Sequence, residues 1–369
     1  MLEPQFRTDK VRRERIDSMG IIIALLVFGL IVTVHEFGHF ICAKLSGIKV
    51  LEFSVGMGPK LFQTKKGETK YSLRALPIGG YCAMQDEDNE SDDPRGFRNA
   101  KLWKRALVLF AGPLMNFVLG FILLIGMVCS MTDVPTREVH GFYGKKNDDG
   151  TKVNYSRSYE TGLQFGDKFV EVDGIRIFSY LDLSYIFATT KTHTHDVVVE
   201  RDGKKVELED VEFRDLRDND HVDFFLVYES KNPLTVMKCS GGLFMSMGHM
   251  VGMSLKQLAT GKVEKEEVSG PVGVVSTISE ATEKSESKKD ALFQLFYMSA
   301  LISINVGIFN LLPIPGLDGG RLLFCLIELV RRKPVKPEHE GYVHLAGMVL
   351  LFSIMIFATY NDIVKLITG

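Results

Sequence analysis

The chain has 369 residues, enough for two or three domains of ordinary size. A formal net charge of −2 lacks the basic balance of a nucleic-acid binder, so no nucleic-acid partner is expected. Five scattered cysteines (Cys42, Cys82, Cys129, Cys239 and Cys325) form neither a disulfide framework nor a C-x-x-C metal pair, and are read as unpaired thiols.

Residues 1–18 form a basic tail with Arg7, Lys10, Arg12, Arg13 and Arg15. The first apolar run, about 19–42, is long enough to cross a bilayer and lacks an A-x-A cleavage pattern. It is therefore expected to be a retained span rather than a signal peptide. Because Met19 directly precedes it, residues 1–18 are expected to be dispensable for insertion. The run ends in His35-Glu36-Phe37-Gly38-His39. On a helix, residues four apart share one face about 6 Å apart along the axis, so two imidazoles can hold one Zn²⁺. Glu36, between them, is then the general base that takes a proton from water. Such a match also occurs among ordinary surface residues of exposed helices. Here three ionisable groups sit in an apolar span, where they are costly without a function.

About 49–84 reads as short strands with a Lys66-Gly67 turn, interrupted by Gly56-Met-Gly58-Pro59. A second span, about 106–131, has no charged residue but contains Asn116, which suits either interhelical hydrogen bonding or support of a site. Residues 134–230 read as a separate β-rich soluble domain, with strand-like runs at 168–172, 197–201 and 224–228. In it, His193 and His195 of the Lys191–His195 segment are expected in a solvated loop, with a second metal site as the alternative. Residues 231–290 hold an amphipathic helix (about 243–258) and a linker; that helix is expected on a membrane surface rather than across it. The third span, about 291–317, is broken near its end by Pro313 and Pro315, and the fourth covers about 342–360.

The loop after the first span carries twelve Lys and Arg between Lys44 and Arg105, and Arg331, Arg332, Lys333 and Lys336 precede the last. Both loops are assigned to the cytosol, against the vote of the basic tail. The first and third spans then point the same way. His35, His39 and Asp318 arrive at similar depth, near the cytosolic face. A catalytic zinc usually takes a third protein ligand, and Asp318 is the best candidate. Its other reading is a turn residue before Gly319 and Gly320.

These residues resemble the site-2 protease family of intramembrane zinc metalloproteases, most closely its bacterial RseP/RasP type. The resemblance covers nearly everything from Met19 onward. It rests on His35–His39, on Gly112-x-x-x-Asn116, and on Asn310-Leu-Leu-Pro313-Ile-Pro315-Gly-Leu-Asp318-Gly-Gly320. Ser269–Gly273 and Glu340-Gly341-Tyr342 are similar to that family too.

The resemblance implies a polytopic α-helical protein of the bacterial plasma (inner) membrane with four spans. It implies His35, His39 and Asp318 as zinc ligands and Glu36 as the catalytic base. Asn310, Pro313 and Pro315 would help hold an unwound substrate, with Asn116 in support. The 49–84 region would be a membrane-associated β-hairpin whose edge pairs with substrate. The Gly162-Leu-x-x-Gly166-Asp167 segment and Glu171–Gly174 resemble a bacterial PDZ domain, expected on the extracytoplasmic side; the chain has room for one. The partners implied are single-pass transmembrane substrates, among them anti-sigma factors and signal-peptide remnants. Two competing readings are a transporter with an intramembrane metal or His site and a membrane-tethered adaptor. A transporter is expected to show paired broken helices in repeated halves, whereas only the third span here is broken.

Overall fold

A computed structural model describes residues 3–87, 93–146, 153–190, 192–213, 223–260, 273 and 287–368. In chain order the elements are α1 (Glu3–Leu45), β1 (Val50–Lys66), β2 (Thr69–Met84), α2 (Leu102–Ser130), β3 (Asp133–Phe142), β4 (Gly144–Lys146), β5 (Val153–Tyr155), α3 (Arg157–Glu160), β6 (Lys168–Val172), β7 (Ile175–Arg176), α4 (Tyr180–Thr189), β8 (Thr194–Arg201), β9 (Lys204–Glu212), β10 (Phe224–Ser230), α5 (Pro233–Ala259), α6 (Lys288–Leu311), α7 (Asp318–Arg331) and α8 (Pro337–Thr368). They form two compact units, Met1–Leu123 with Leu255–Gly369, and Leu124–Ser254. Of the Ser269–Gly273 segment, only Gly273 lies among the described residues.

Four helices of the described residues are long and apolar enough to cross a bilayer: Gly20–Leu45, Leu102–Ser130, Lys288–Leu311 and Glu338–Asp362. They bury little of their apolar surface against protein. In the last, only 11 % of the most apolar window is buried, an outcome that water would penalise and lipid does not. The protein is a polytopic membrane protein. α5 is not among the candidate spans. The third span differs from the expectation of one run over about 291–317. α6 ends at Leu311, residues 312–317 are unwound, and Asp318 opens a new helix. Pro313 and Pro315 lack the backbone N–H that would continue the ladder, which is why the helix stops there.

In the first unit, β1 and β2 make one long antiparallel hairpin turning at Gly67, where φ is +63°. Its register is irregular around Gly56 and Gly58, both with positive φ. Met57, Leu61, Phe62, Leu73 and Leu76 are exposed towards its far end. The base of the hairpin packs on α1 and α2 through a core that includes Ala43, Ile48, Val50, Met84, Phe97 and Val108. Gly29 of α1 lets the hairpin in: a Cβ there would lie 2.1 Å from the Pro77 carbonyl oxygen.

In the second unit the sheet order is β10-β3-β6-β8-β9, antiparallel throughout, with β7 beside β6. Phe169, Leu163, Ile177, Val197 and Val199 are fully buried in its core. The Gly162–Asp167 turn has a physical role. Asp167 is buried, its carboxylate accepting from Gln164 N and from Arg201 Nε and Nη2 at 2.7–2.8 Å. His195 corrects the expectation of a solvated loop. It lies on β8 facing inward, 2 % exposed, with Nδ1 2.6 Å from Asp173 Oδ2 and its ring against Phe187 and Phe213. Strand alternation turns His195 inward with Val197 and Val199, whereas His193 precedes β8 and is exposed. Neither joins a metal-ligating cluster among the described residues. All five cysteines are free thiols.

Candidate metal centre

α1 delivers the first two donors by its own periodicity. His35 and His39 are both buried, and their Nε2 atoms stand 3.1 Å apart. The third donor comes from 283 residues further along: Asp318 Oδ2 lies 3.0 Å from His35 Nε2 and 3.2 Å from His39 Nε2. The three residues form the one metal-ligating cluster found among the described residues.

The geometry fits a zinc ion. Tetrahedral bonds of about 2.0 Å place neighbouring donor atoms about 3.3 Å apart, close to the triangle observed here. Three electron-pair donors facing one point repel one another until a cation sits between them. Two imidazoles and one carboxylate also match zinc's usual ligands and leave a fourth position for substrate or water.

Further groups set the donors' orientation. His39 Nδ1–H donates to the Val108 carbonyl at 2.8 Å, so its Nε2 keeps the lone pair. Buried Asn116 lies beside His35, with its side-chain amide 3.2 Å from Nδ1. The amide orientation with Oδ1 towards Nδ1–H satisfies both groups. The reverse sets two donors face to face and leaves Oδ1 buried without a partner. Asn116 is anchored in turn: its backbone carbonyl accepts from Ser303 Oγ of α6 at 2.8 Å. Gly112 supplies the space, because a Cβ there would come within 2.3 Å of His39 Nε2 and 2.9 Å of His35 Nε2. The spacing Gly112-x-x-x-Asn116 thus puts a void and a hydrogen-bonding group on one face of α2.

Asp318 reaches the histidines because the unwound stretch threads through small residues. A Cβ on Gly319 would lie 2.1 Å from the Leu312 carbonyl oxygen, one on Gly320 2.5 Å from that of Ile314, and one on Gly347 2.0 Å from that of Pro315. Gly316 takes φ +97°, and its N–H donates to His344 Nδ1 at 2.9 Å. His344 was not singled out in the sequence; a lone histidine in the last span was its only signal.

Glu36 is half-buried, and its Oε2 accepts from the Cys82 N–H of β2 at 3.0 Å. This backbone donor has no sequence signature. The same strand runs through Gly80, whose Cβ would meet the Ser54 carbonyl oxygen at 2.7 Å and the Glu36 side chain at 3.8 Å. The hairpin therefore reaches the carboxylate. His35, His39, Asp318, Glu36 and Asn116 are brought together. Asn310 turns back on its own helix, with Nδ2 donating to the Val306 carbonyl at 3.0 Å, one turn before Pro313 and Pro315.

This chain matches the model of Peptidase family M50 over residues 23–354. It is 36 % identical to a zinc metalloprotease of Clostridium perfringens over 350 residues, covering 94 % of this chain and 99 % of the relative. A zinc metalloprotease of Fusobacterium nucleatum is 34 % identical, with 94 % and 99 % covered. Regulator of sigma-W protease RasP of Bacillus subtilis is 28 % identical, with 94 % and 98 % covered. Hydrolase chemistry is thereby favoured over the transporter reading, and the residues gathered at the end of α1 have the composition that this chemistry requires. The chain belongs to Peptidase family M50, the site-2 protease type of zinc metalloendopeptidase.

Proposed function

We propose that His35, His39 and Asp318 hold the zinc, that Glu36 is the proton carrier, and that single-pass transmembrane segments are cut beside them within the membrane. The observation carrying this reading is the 3.0–3.2 Å triangle of donor atoms with Glu36 alongside. Zinc, when bound, supplies Lewis-acid polarisation of the scissile carbonyl and makes water acidic enough to ionise near neutral pH. Glu36 takes the proton of the attacking water and returns it to the amine that leaves, so no net proton is consumed in breaking the C–N bond. The Cys82 N–H holds Glu36 in place for both transfers.

A peptide must be extended to be cut, and an extended backbone inside a membrane needs hydrogen-bond partners. The hairpin edge offers them by strand addition. Asn310, Pro313 and Pro315 border the unwound stretch ahead of Asp318, where an unwound substrate can lie. The second unit contains the PDZ-like domain (134–230), assigned to the extracytoplasmic side of a bacterial plasma membrane, with the metal site towards the cytosol. Its groove between α4 and β10 is lined by Leu183, Phe187, Phe224 and Leu226, among others. That groove suits the screening of substrates rather than chemistry. The name of the Bacillus subtilis relative, a regulator of sigma-W, favours anti-sigma factors as one substrate class. Signal-peptide remnants are the other.

The test is zinc content and cleavage of a model transmembrane peptide by the purified protein. Chelation should abolish cleavage and added zinc restore it. Glu36→Gln should keep zinc and lose nearly all hydrolysis. Wild-type turnover by the zinc-loaded variant would refute the role of Glu36.

A further inference from the structure

With 14 residues, α7 is about 21 Å long, too short to cross a hydrocarbon layer of about 30 Å. Its outward face is nevertheless apolar: Leu323, Leu326, Leu329 and Val330 are all exposed, Val330 at 76 %. Between α7 and the first turns of α2 runs an open groove of about 450 Å³ with almost no polar surface. Trp103 and Ala106 form one wall, and Leu322, Leu326 and Leu329 the other.

The mouth of the groove has a different character. Lys101 is exposed immediately before α2, and Arg331, Arg332 and Lys333 are exposed just beyond Leu329. The acidic group nearest in sequence, Glu328, is matched by Arg105 at 2.9 Å, so the pair adds no net charge. Trp103, the only tryptophan in the chain, is 60 % exposed where a membrane span begins. Indoles at that position sit at headgroup level, with lysine and arginine alongside. The groove thus opens from a basic, headgroup-level rim into an apolar trough along the span.

We propose that this groove seats one acyl chain of an anionic phospholipid, whose phosphate faces Lys101 and the basic end of α7. Lipid is the surrounding solvent, the trough has the scale of one chain, and the rim has the complementary charge. The site lies apart from Glu36 and the three proposed ligands, and it stands whether or not their assigned roles do.

Because Trp103 is the sole tryptophan, its fluorescence reads occupancy directly. The full-length protein would be reconstituted in bilayers containing brominated phosphatidylglycerol or brominated phosphatidylcholine over the same series of mole fractions. Half-maximal quenching is expected at about fivefold less of the anionic lipid, equivalent to about 1 kcal/mol for one Lys or Arg near the surface. Ala106→Phe, which fills the trough, should abolish that preference. So should Lys101→Gln combined with Arg332→Gln, which leaves the apolar packing untouched. Equal quenching by the two lipids in the wild type would overturn the proposal. So would a preference unchanged in Ala106→Phe, which would reflect surface charge alone. Displacement of the brominated lipid by a model transmembrane peptide would assign the groove to substrate and overturn it equally.

Discussion

Gly112→Ala is the smallest change that separates a metal site from a chance meeting of polar groups. The added Cβ would lie 2.3 Å from His39 Nε2, 2.5 Å from His39 Cε1 and 2.9 Å from His35 Nε2. Carbon makes comfortable contact at about 3.5 Å, so the rings must retreat by about 1 Å. Metal–ligand distances tolerate only about 0.2 Å. Elsewhere the rings could swing aside cheaply, being the ends of side chains, but here both must point at one ion. The fold itself should not suffer, since Ala stabilises a helix interior by about 1 kcal/mol relative to Gly. The expected outcome is a normally inserted protein whose zinc affinity falls about 10- to 100-fold, as for changes in groups that orient ligands. Cleavage should drop about 100-fold for a 1 Å misplacement. Zinc per chain under chelator competition and cleavage of a transmembrane peptide measure the two losses. Gly248→Ala, on α5 with nothing within 4 Å of the new Cβ, is the control. Wild-type zinc affinity in Gly112→Ala would mean that the rings do not converge as described.

Asp318→Asn keeps the side chain's shape but removes its anionic donor, so zinc occupancy and activity should both be lost; full occupancy would make Asp318 a turn residue. Asn116→Leu should weaken zinc binding about 10- to 100-fold, whereas Asn116→Asp should largely retain it, because a carboxylate also accepts from His35 Nδ1–H. Equal affinities for the two variants would remove Asn116 from the site. In the second unit, burial holds the Asp223 carboxyl above the usual carboxylate range. The folded state then binds its proton more tightly than the unfolded one. Stability should fall as pH rises from the ordinary carboxylate range through the raised value, and the full cost remains at higher pH. Hydrogen-exchange protection of β10 should be greater at acid than at neutral pH. Asp223→Asn should flatten that dependence, and a flat wild-type profile would refute it.

Sequence alone determined whatever repeats with a local period. Two histidines four apart on an apolar helix must share a face, so two of the three proposed ligands were legible in His35–His39. The spans were legible because about 20 consecutive apolar residues have few stable alternatives to a membrane helix. Short strands and the Lys66-Gly67 turn were legible from the residues, the hairpin was implied by the family resemblance, and the structure makes its strands 17 and 16 residues long. Asp318 could be singled out as a candidate, but its meeting with His35 across 283 residues is a property of packing. It depends on clearances at Gly112, Gly319, Gly320 and Gly347 that no local pattern encodes. The break of the third span was visible in its prolines, while the new helix opened by Asp318 was not. His195 looked like part of a polar loop, and only the sheet decided that it faces inward against Phe187 and Phe213. The Cys82 N–H on Glu36 and the Val108 carbonyl on His39 were beyond reach for a simpler reason. Every residue carries such backbone groups, and only the tertiary structure selects which of them face a side chain.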